Sequence, residues 1–222
     1  MGRPATPVTK LRVAVSLATM VSGQMGGSET YSRELVRALR AQDVDIRVIV
    51  PEGDSLAGST GCFTRRARNG GSAARLEALL HNALAKEARR RMSAVDVIHY
   101  PLSAPVPLPT RGRPFVLTIH DLQHRDLPHL FTRAERLYRY FAYETAAQRA
   151  AAIITISDFS RDRIVHHLSV DPNKVHVIPL GLTGPDRPLA RSMQKNSPFV
   201  LYPARRWPHK NPQRLIEAVG LL

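Results

Sequence analysis

Arg12-Val-Ala-Val-Ser-Leu17, the turn Ser22-Gly23-Gln24-Met25-Gly26-Gly27-Ser28-Glu29, and a periodic run from Ser28 to Ala41 follow one another near the start of the chain. A β-branched apolar run, a glycine turn and a helix in that order form the opening unit of a parallel α/β sheet. Tyr31, Leu35, Ala38 and Leu39 fall at helical spacing, which predicts a helix lying over the sheet. Adjacent glycines let a ligand come close to the backbone, and free N–H groups at a helix start attract anions. The spacing of Gly23, Gly26 and Gly27 is neither G-x-G-x-x-G nor a P-loop, which disfavours nicotinamide dinucleotides and P-loop chemistry. A flexible turn with no ligand remains the plain alternative.

Outward from this unit, the same alternation recurs. Further strands are predicted at Asp45–Val50, Val95–Tyr100, Phe115–Ile119, Ile153–Ile156, Val175–Ile178 and Phe199–Tyr202. Helical patterns run from Ser72 to Met92 and from Thr132 through Tyr138, Phe141 and Ala147, where Thr132 and Glu135 have capping-box spacing. Another begins at Ser157, a plausible N-cap, and should turn Phe159, Ile164 and Leu168 inward. The Gly- and Arg-rich stretch 53–71 reads as a surface loop, and 181–198, with Gly184, Pro185, Pro188 and Pro198, reads as a linker without periodicity.

With 222 residues and 43% hydrophobic content, the chain supports one domain of ordinary size. The expected organisation is a Rossmann-like parallel sheet with helices on both faces over 1–182, a linker over 183–198, and the first βα unit of a second such domain over 199–222. A segment of that size cannot bury a core of its own, so a truncated second domain is expected. The 32 Lys and Arg residues against 18 acidic ones give a formal charge of +14, which favours anionic partners. Nucleic acid is not expected, because no basic recognition helix, zinc motif or aromatic stacking platform accompanies the charge. The single Cys62 excludes an internal disulfide, and no apolar run reaches membrane-spanning length. A cytoplasmic protein with peripheral contact to an anionic membrane is the expectation.

Two further clusters carry candidate chemistry. Thr118-Ile119-His120-Asp121-Leu122-Gln123-His124-Arg125-Asp126 follows a strand at the end where open α/β sheets contact ligands. A neutral histidine there can hydrogen-bond a hydroxyl while a neighbouring carboxylate fixes its tautomer. Loop capping is the structural alternative, and His120, His124, Asp126 and His129 also permit a metal reading that Pro128 and the lack of a second ligand cluster weigh against. His166 and His167 read as surface residues on a helix. The second cluster, Arg205-Arg206-Trp207-Pro208-His209-Lys210-Asn211, precedes an apolar helix. Cations so placed can neutralise a diphosphate without a divalent ion, although charge runs before helices are usually solvated.

Gly26-Gly27-Ser28-Glu29-Thr30-Tyr31, His120-Asp121-Leu122-Gln123-His124, Ser157-Asp158-Phe159-Ser160-Arg161, Lys174-Val-His-Val-Ile-Pro179-Leu-Gly181, and Pro203 to Asn211 together resemble the retaining glycosyltransferases of family 4, of GT-B fold. The resemblance implies two Rossmann-like domains facing a cleft, a nucleotide-diphosphate sugar as donor, a glycan or lipid-linked acceptor, and no metal or other cofactor. By position, His120, Arg205 and Lys210 would be catalytic; Gly26, Gly27, Asp121 and Ser157 would bind substrate. Gly27 would approach the donor diphosphate or the acceptor, His120 the transferred sugar, and the Arg205–Lys210 pair the departing nucleoside diphosphate. The family's paired donor-binding glutamates have no counterpart before Leu222. The implied reaction is therefore transfer of a hexose or deoxyhexose, with a mannose-like leaning, in polysaccharide assembly, impaired in a truncated chain. A noncatalytic lobe that binds a glycan, membrane or partner transferase is the alternative.

Overall fold

A computed structural model describes residues 10–51, 54, 56, 84–181, 200–204 and 210–221. Six strands form one sheet: β1 (Leu11–Ser16), β2 (Val44–Ile49), β3 (Val97–Tyr100), β4 (Phe115–Thr118), β5 (Ala152–Thr155) and β6 (Val175–Val177). Their order is β2-β1-β3-β4-β5-β6, and every neighbouring pair is parallel. The strand order reverses direction between β1 and β3, the point at which a doubly wound sheet opens a crevice beyond its carboxyl ends. The fold is a Rossmann-like α/β sheet.

Strand register explains the two cores. Ala14 pairs with Ile98, Ile98 with Phe115, Leu117 with Ile153, and Ile153 with Val175. Because side chains alternate between faces, these residues share one side of the sheet. There they pack with Met92 from α2 (Lys86–Ser93) and with Ala146 and Ala147 from α5 (Thr145–Arg149). Ile164 and Leu168 from α6 (Asp158–Leu168) complete that core. Val13, Val15, Leu17 and Val48 lie on the other side beneath Val36 of α1 (Gly27–Arg40). Burying a residue such as Val15 or Leu17 contributes roughly 1.5–3 kcal/mol, so both faces must be covered for these strands to be stable. The buried face of α1 is Ser32 and Val36, with Tyr31, Leu35 and Leu39 half-buried and Ala38 exposed. The apolar stripe is therefore rotated slightly from the Leu35–Ala38 line.

Between β4 and β5 lie α3 (Gln123–Asp126), α4 (Arg133–Arg139) and a π-helical turn over Tyr140–Glu144 that leads into α5. The Thr132–Glu135 capping box forms as the sequence predicts, Thr132 Oγ1 accepting from the Glu135 amide at 3.2 Å. Ser157 likewise caps α6, accepting from the Ser160 amide at 3.2 Å. Phe159 departs from expectation, for it is 70% exposed while Ile164 and Leu168 are buried. It stands in the first turn of α6.

At the other end of the chain, α7 (Pro212–Val219) is capped by Asn211, whose side chain accepts from the Arg214 amide at 3.4 Å. This is the helix expected after the basic loop. Val200, Leu201 and Tyr202 have no ladder partner among the described residues and are not in a strand, contrary to expectation. A parallel strand needs a neighbouring strand for its hydrogen bonds. Most of 53–83 and the whole of 182–199, including the expected surface loop, much of the helix over 72–92 and the linker, lie outside the described residues, as does Arg205.

Candidate functional site

The turn before α1 is built on backbone conformations that favour glycine. Gly23 has φ 76° and Gly26 has φ 62°, both in the region where a Cβ is penalised. Gly26 is the N-cap of α1 and supplies no side chain to satisfy the first amides. At the start of the helix the amides of Gly27 and Ser28 have no acceptor among the described residues. A Cβ built on Gly27 meets none of the described residues within 4 Å, so there is room beside this residue for a side chain. Glu29 reaches back across the turn, its carboxylate accepting from the Gly23 amide at 2.8 Å and from Arg33 Nε at 3.1 Å. Arg33 in turn donates to Ser22 Oγ at 3.0 Å and to Asp54 at 3.3 Å, which ties the turn to the segment after β2.

His120 is the second residue beyond β4, at the same end of the sheet. The edge of its ring pair with Tyr31 joins it to α1, with centroids 4.9 Å apart and planes at 89°. Its carbonyl accepts from Ser160 Oγ at 3.1 Å, which joins it to the start of α6, where Ser157 Oγ also donates to Ser160 Oγ. Gly26, Gly27, His120, Asp121 and Ser157 therefore gather on elements that meet at the carboxyl edge. Burial pushes the His120 pKa down, against the opposing pull of the Asp121 charge and the Pro101 carbonyl. The imidazole is neutral near pH 7. Its Nε2 is buried and has no hydrogen-bond partner among the described residues. With the other ring nitrogen serving the Pro101 carbonyl, Nε2 carries a lone pair that none of the described residues satisfies.

Beneath His120 lies a polar layer that sequence reasoning missed. His99 Nε2 and Thr118 Oγ1 are 2.8 Å apart, and Ser103 Oγ donates to the Thr118 carbonyl at 2.8 Å. His99 is 7% exposed, and burial lowers its pKa to about 4. A histidine inside the apolar run Val97-Ile98-His99-Tyr100 was the available signal: a polar group on a buried strand must be satisfied.

His124 takes a different place from the one a metal reading needs. Its Nε2 faces Glu144 Oε1 at 3.3 Å, and Arg125 Nε donates to that same oxygen at 2.8 Å. Asp126 is engaged by Arg163 and His167, and His129 is exposed. Among the described residues no group of three or more His, Cys, Asp or Glu side chains is arranged to hold a metal ion. His166 is exposed, whereas His167 is half-buried against Asp126. Lys210 is exposed in the C-terminal segment, its carbonyl accepting from Tyr202 Oη. A cavity of about 260 Å³ lined by Ala14, Arg47, Val48, Ile49 and Arg91 lies against β1 and β2 and includes none of the candidate residues.

The family model described as Glycosyltransferase Family 4 matches residues 25–183, a span that takes in Gly26, Gly27, His120 and Ser157. Among solved structures, a glycosyltransferase from Rickettsia africae ESF-5 is similar at 14% identity and a TM-score of 0.39, over 78% of this chain. The present chain spans 44% of that protein. Comparison with curated proteins returns no match.

Proposed function

Since the chain belongs to Glycosyltransferase Family 4, we propose that it serves the transfer of a hexose or deoxyhexose, of mannose-like type, from a nucleotide-diphosphate sugar to a glycan or lipid-linked acceptor with retention of configuration. The observation that carries this reading is His120 Nε2, a buried acceptor without a partner among the described residues, on the same edge of the sheet as the start of α1. An unmade hydrogen bond on a buried polar group costs about 1–3 kcal/mol, and a sugar hydroxyl is the right kind of donor to recover it.

In this reading the amides of Gly27 and Ser28 receive a phosphate or acceptor oxygen, an interaction that contributes on the order of 0.3–1 kcal/mol per charge at a helix start. The Pro101 carbonyl orients His120, whereas Asp121, whose carboxylate accepts from the Gln123 amide, acts on it through charge alone, and Ser157 holds the start of α6 against it. Lys210 and Arg205 neutralise the departing nucleoside diphosphate, so no metal or other cofactor is required. The bond from the sugar's anomeric carbon to the diphosphate breaks as the bond to the acceptor oxygen forms. The acceptor's proton passes to the leaving phosphate oxygen. His120 thus positions and stabilises without itself titrating. The setting is cytoplasmic and belongs to polysaccharide assembly. Residues 1–182 form the acceptor-side domain, 183–198 the linker, and 199–222 the start of the donor-binding domain.

Isothermal titration of the chain with GDP- and UDP-sugars, followed by NMR of any product's anomeric configuration, tests this. Saturable donor binding that His120→Ala weakens supports the reading, and an inverted product overturns it. Glycan binding without donor binding would assign the chain the noncatalytic role of an acceptor lobe.

A further inference from the structure

The helix that begins at Thr132 has two unlike sides. Its inner side is closed by aromatic contacts: the Arg139 guanidinium lies 4.7 Å from the Phe131 ring centroid and 5.4 Å from that of Tyr143, and Tyr138 packs edge-on against Tyr143. At the end of the π-helical turn, Glu144 points inward to Arg125 and His124. The outer side is the reverse of what a solvated helix presents. Leu137 is 59% exposed, Tyr140 46% and Phe141 61%, and the last two form an edge-on pair with centroids 5.3 Å apart.

Spacing gathers these groups on one surface. Leu137, Tyr140 and Phe141 stand at i, i+3 and i+4, and Arg133 and Arg136 precede Leu137 and Tyr140 by four residues each. Both arginines are exposed. Glu135, the acidic residue of α4, is held by the Thr132 cap. Leucine and aromatic side chains framed by arginines suit the boundary between headgroups and acyl chains, where rings sit at the interface and guanidinium groups meet phosphates.

We propose that this outer face, Arg133, Arg136, Leu137, Tyr140 and Phe141, rests on an anionic phospholipid surface. Charge complementarity favours that occupant, since the chain carries a formal charge of +14. Size favours it over a protein: three apolar side chains fall well short of the roughly 800 Å² that each partner of a standard interface covers. The proposal does not depend on the transfer reaction, because vesicle binding is measured without sugar or nucleotide.

Flotation of the full chain with vesicles of phosphatidylcholine alone, or with roughly a third phosphatidylglycerol, tests it. Binding to the anionic vesicles is expected to exceed binding to neutral ones and to weaken with salt. Each arginine near such a surface contributes about fivefold in partitioning, so Arg133→Glu with Arg136→Glu should lower binding by roughly 25-fold or more. Arg111→Glu with Arg113→Glu, an equal charge change at exposed positions before β4, should lower it far less. Phe141→Ser leaves the charge unaltered and should still weaken binding severalfold, which keeps the test intact if the charge reversal impairs folding. Equal binding to both vesicle types, or equal loss from the two charge-reversed pairs, would overturn the proposal. Self-association abolished by Phe141→Ser, without vesicle binding, would overturn it in favour of a second copy as the occupant.

Discussion

The ring of Tyr31, one turn into α1, meets the ring of His120 edge-on at 4.9 Å. These residues come from the first and fourth βα connections, and their contact fixes how far the helix start stands from the loop after β4. The Tyr31 hydroxyl lies 3.5 Å from Thr118 Oγ1, at the limit of a hydrogen bond. Tyr31→Phe should therefore change stability by less than about 0.5 kcal/mol, whereas Tyr31→Ala loses the ring pair and its packing, about 2 kcal/mol. Urea denaturation of the two variants checks this, and equal losses would mean that the hydroxyl, not the ring, matters.

His120→Ala removes an acceptor that makes no bond with the described residues. Stability should fall by about 1–2 kcal/mol, because the ring contact with Tyr31 and the bond to the Pro101 carbonyl go with the side chain, while sugar binding or transfer falls by roughly 10-fold or more. Thermal melting beside donor titration separates the two effects; a large drop in melting temperature with unchanged binding would assign His120 to the core.

Gly26 and Gly27 should respond in opposite ways. Alanine at Gly26 must adopt φ 62° and should cost about 1 kcal/mol or more of stability. Alanine at Gly27 meets open space and should leave stability unchanged or slightly raised, yet it places a methyl group where a ligand would approach. Calorimetric binding of a nucleotide sugar should weaken in Gly27→Ala. Unaltered affinity would remove the turn from the site.

Stability should depend on pH through His99. Its folded pKa of about 4 lies below the ordinary value of 6.5, so the unfolded chain binds more protons between those limits. Stability is fully present above about pH 6.5 and is lost as pH falls toward 4, by up to about 3 kcal/mol. Burial acts in the same direction on His120 and His124. Denaturation midpoints measured from pH 7 to 5 should fall, and His99→Gln should flatten the slope. A profile identical to that of the parent would show that other groups govern it.

Glu144→Ala should be more harmful than its helical surroundings suggest. The carboxylate is buried and serves both Arg125 and His124, so its removal strands a cation and an imidazole, at a cost of about 2–3 kcal/mol once the partial exposure of Arg125 is discounted. Glu144→Gln retains the shape and some hydrogen bonding and should lose less. Equal melting temperatures for parent and Glu144→Ala would contradict the arrangement.

Local chemistry was well expressed along the chain. β-Branched runs marked the six paired strands to within two residues, Thr132 and Glu135 announced their capping box, and Ser157 its helix. The exposed Phe159 was misread because helical spacing specifies a shared face but not what lies opposite it. Glu144 in Tyr140-Phe-Ala-Tyr-Glu144 was a flag of the same kind as His99: a charge among apolar residues needs a partner, and the sequence does not say which.

By itself, then, the sequence determined the α/β class, the parallel order implied by alternating strands and helices, the glycine turn and His120 as candidates at strand ends. These follow from properties of neighbouring residues: φ preferences, side-chain period and capping. Tertiary structure alone decided that Tyr31 borders His120, that His99 supports Thr118, that Nε2 of His120 has no partner among the described residues, and that Leu137, Tyr140 and Phe141 face outward. Contacts between residues tens of positions apart depend on sheet order and register, and only the packed chain sets those.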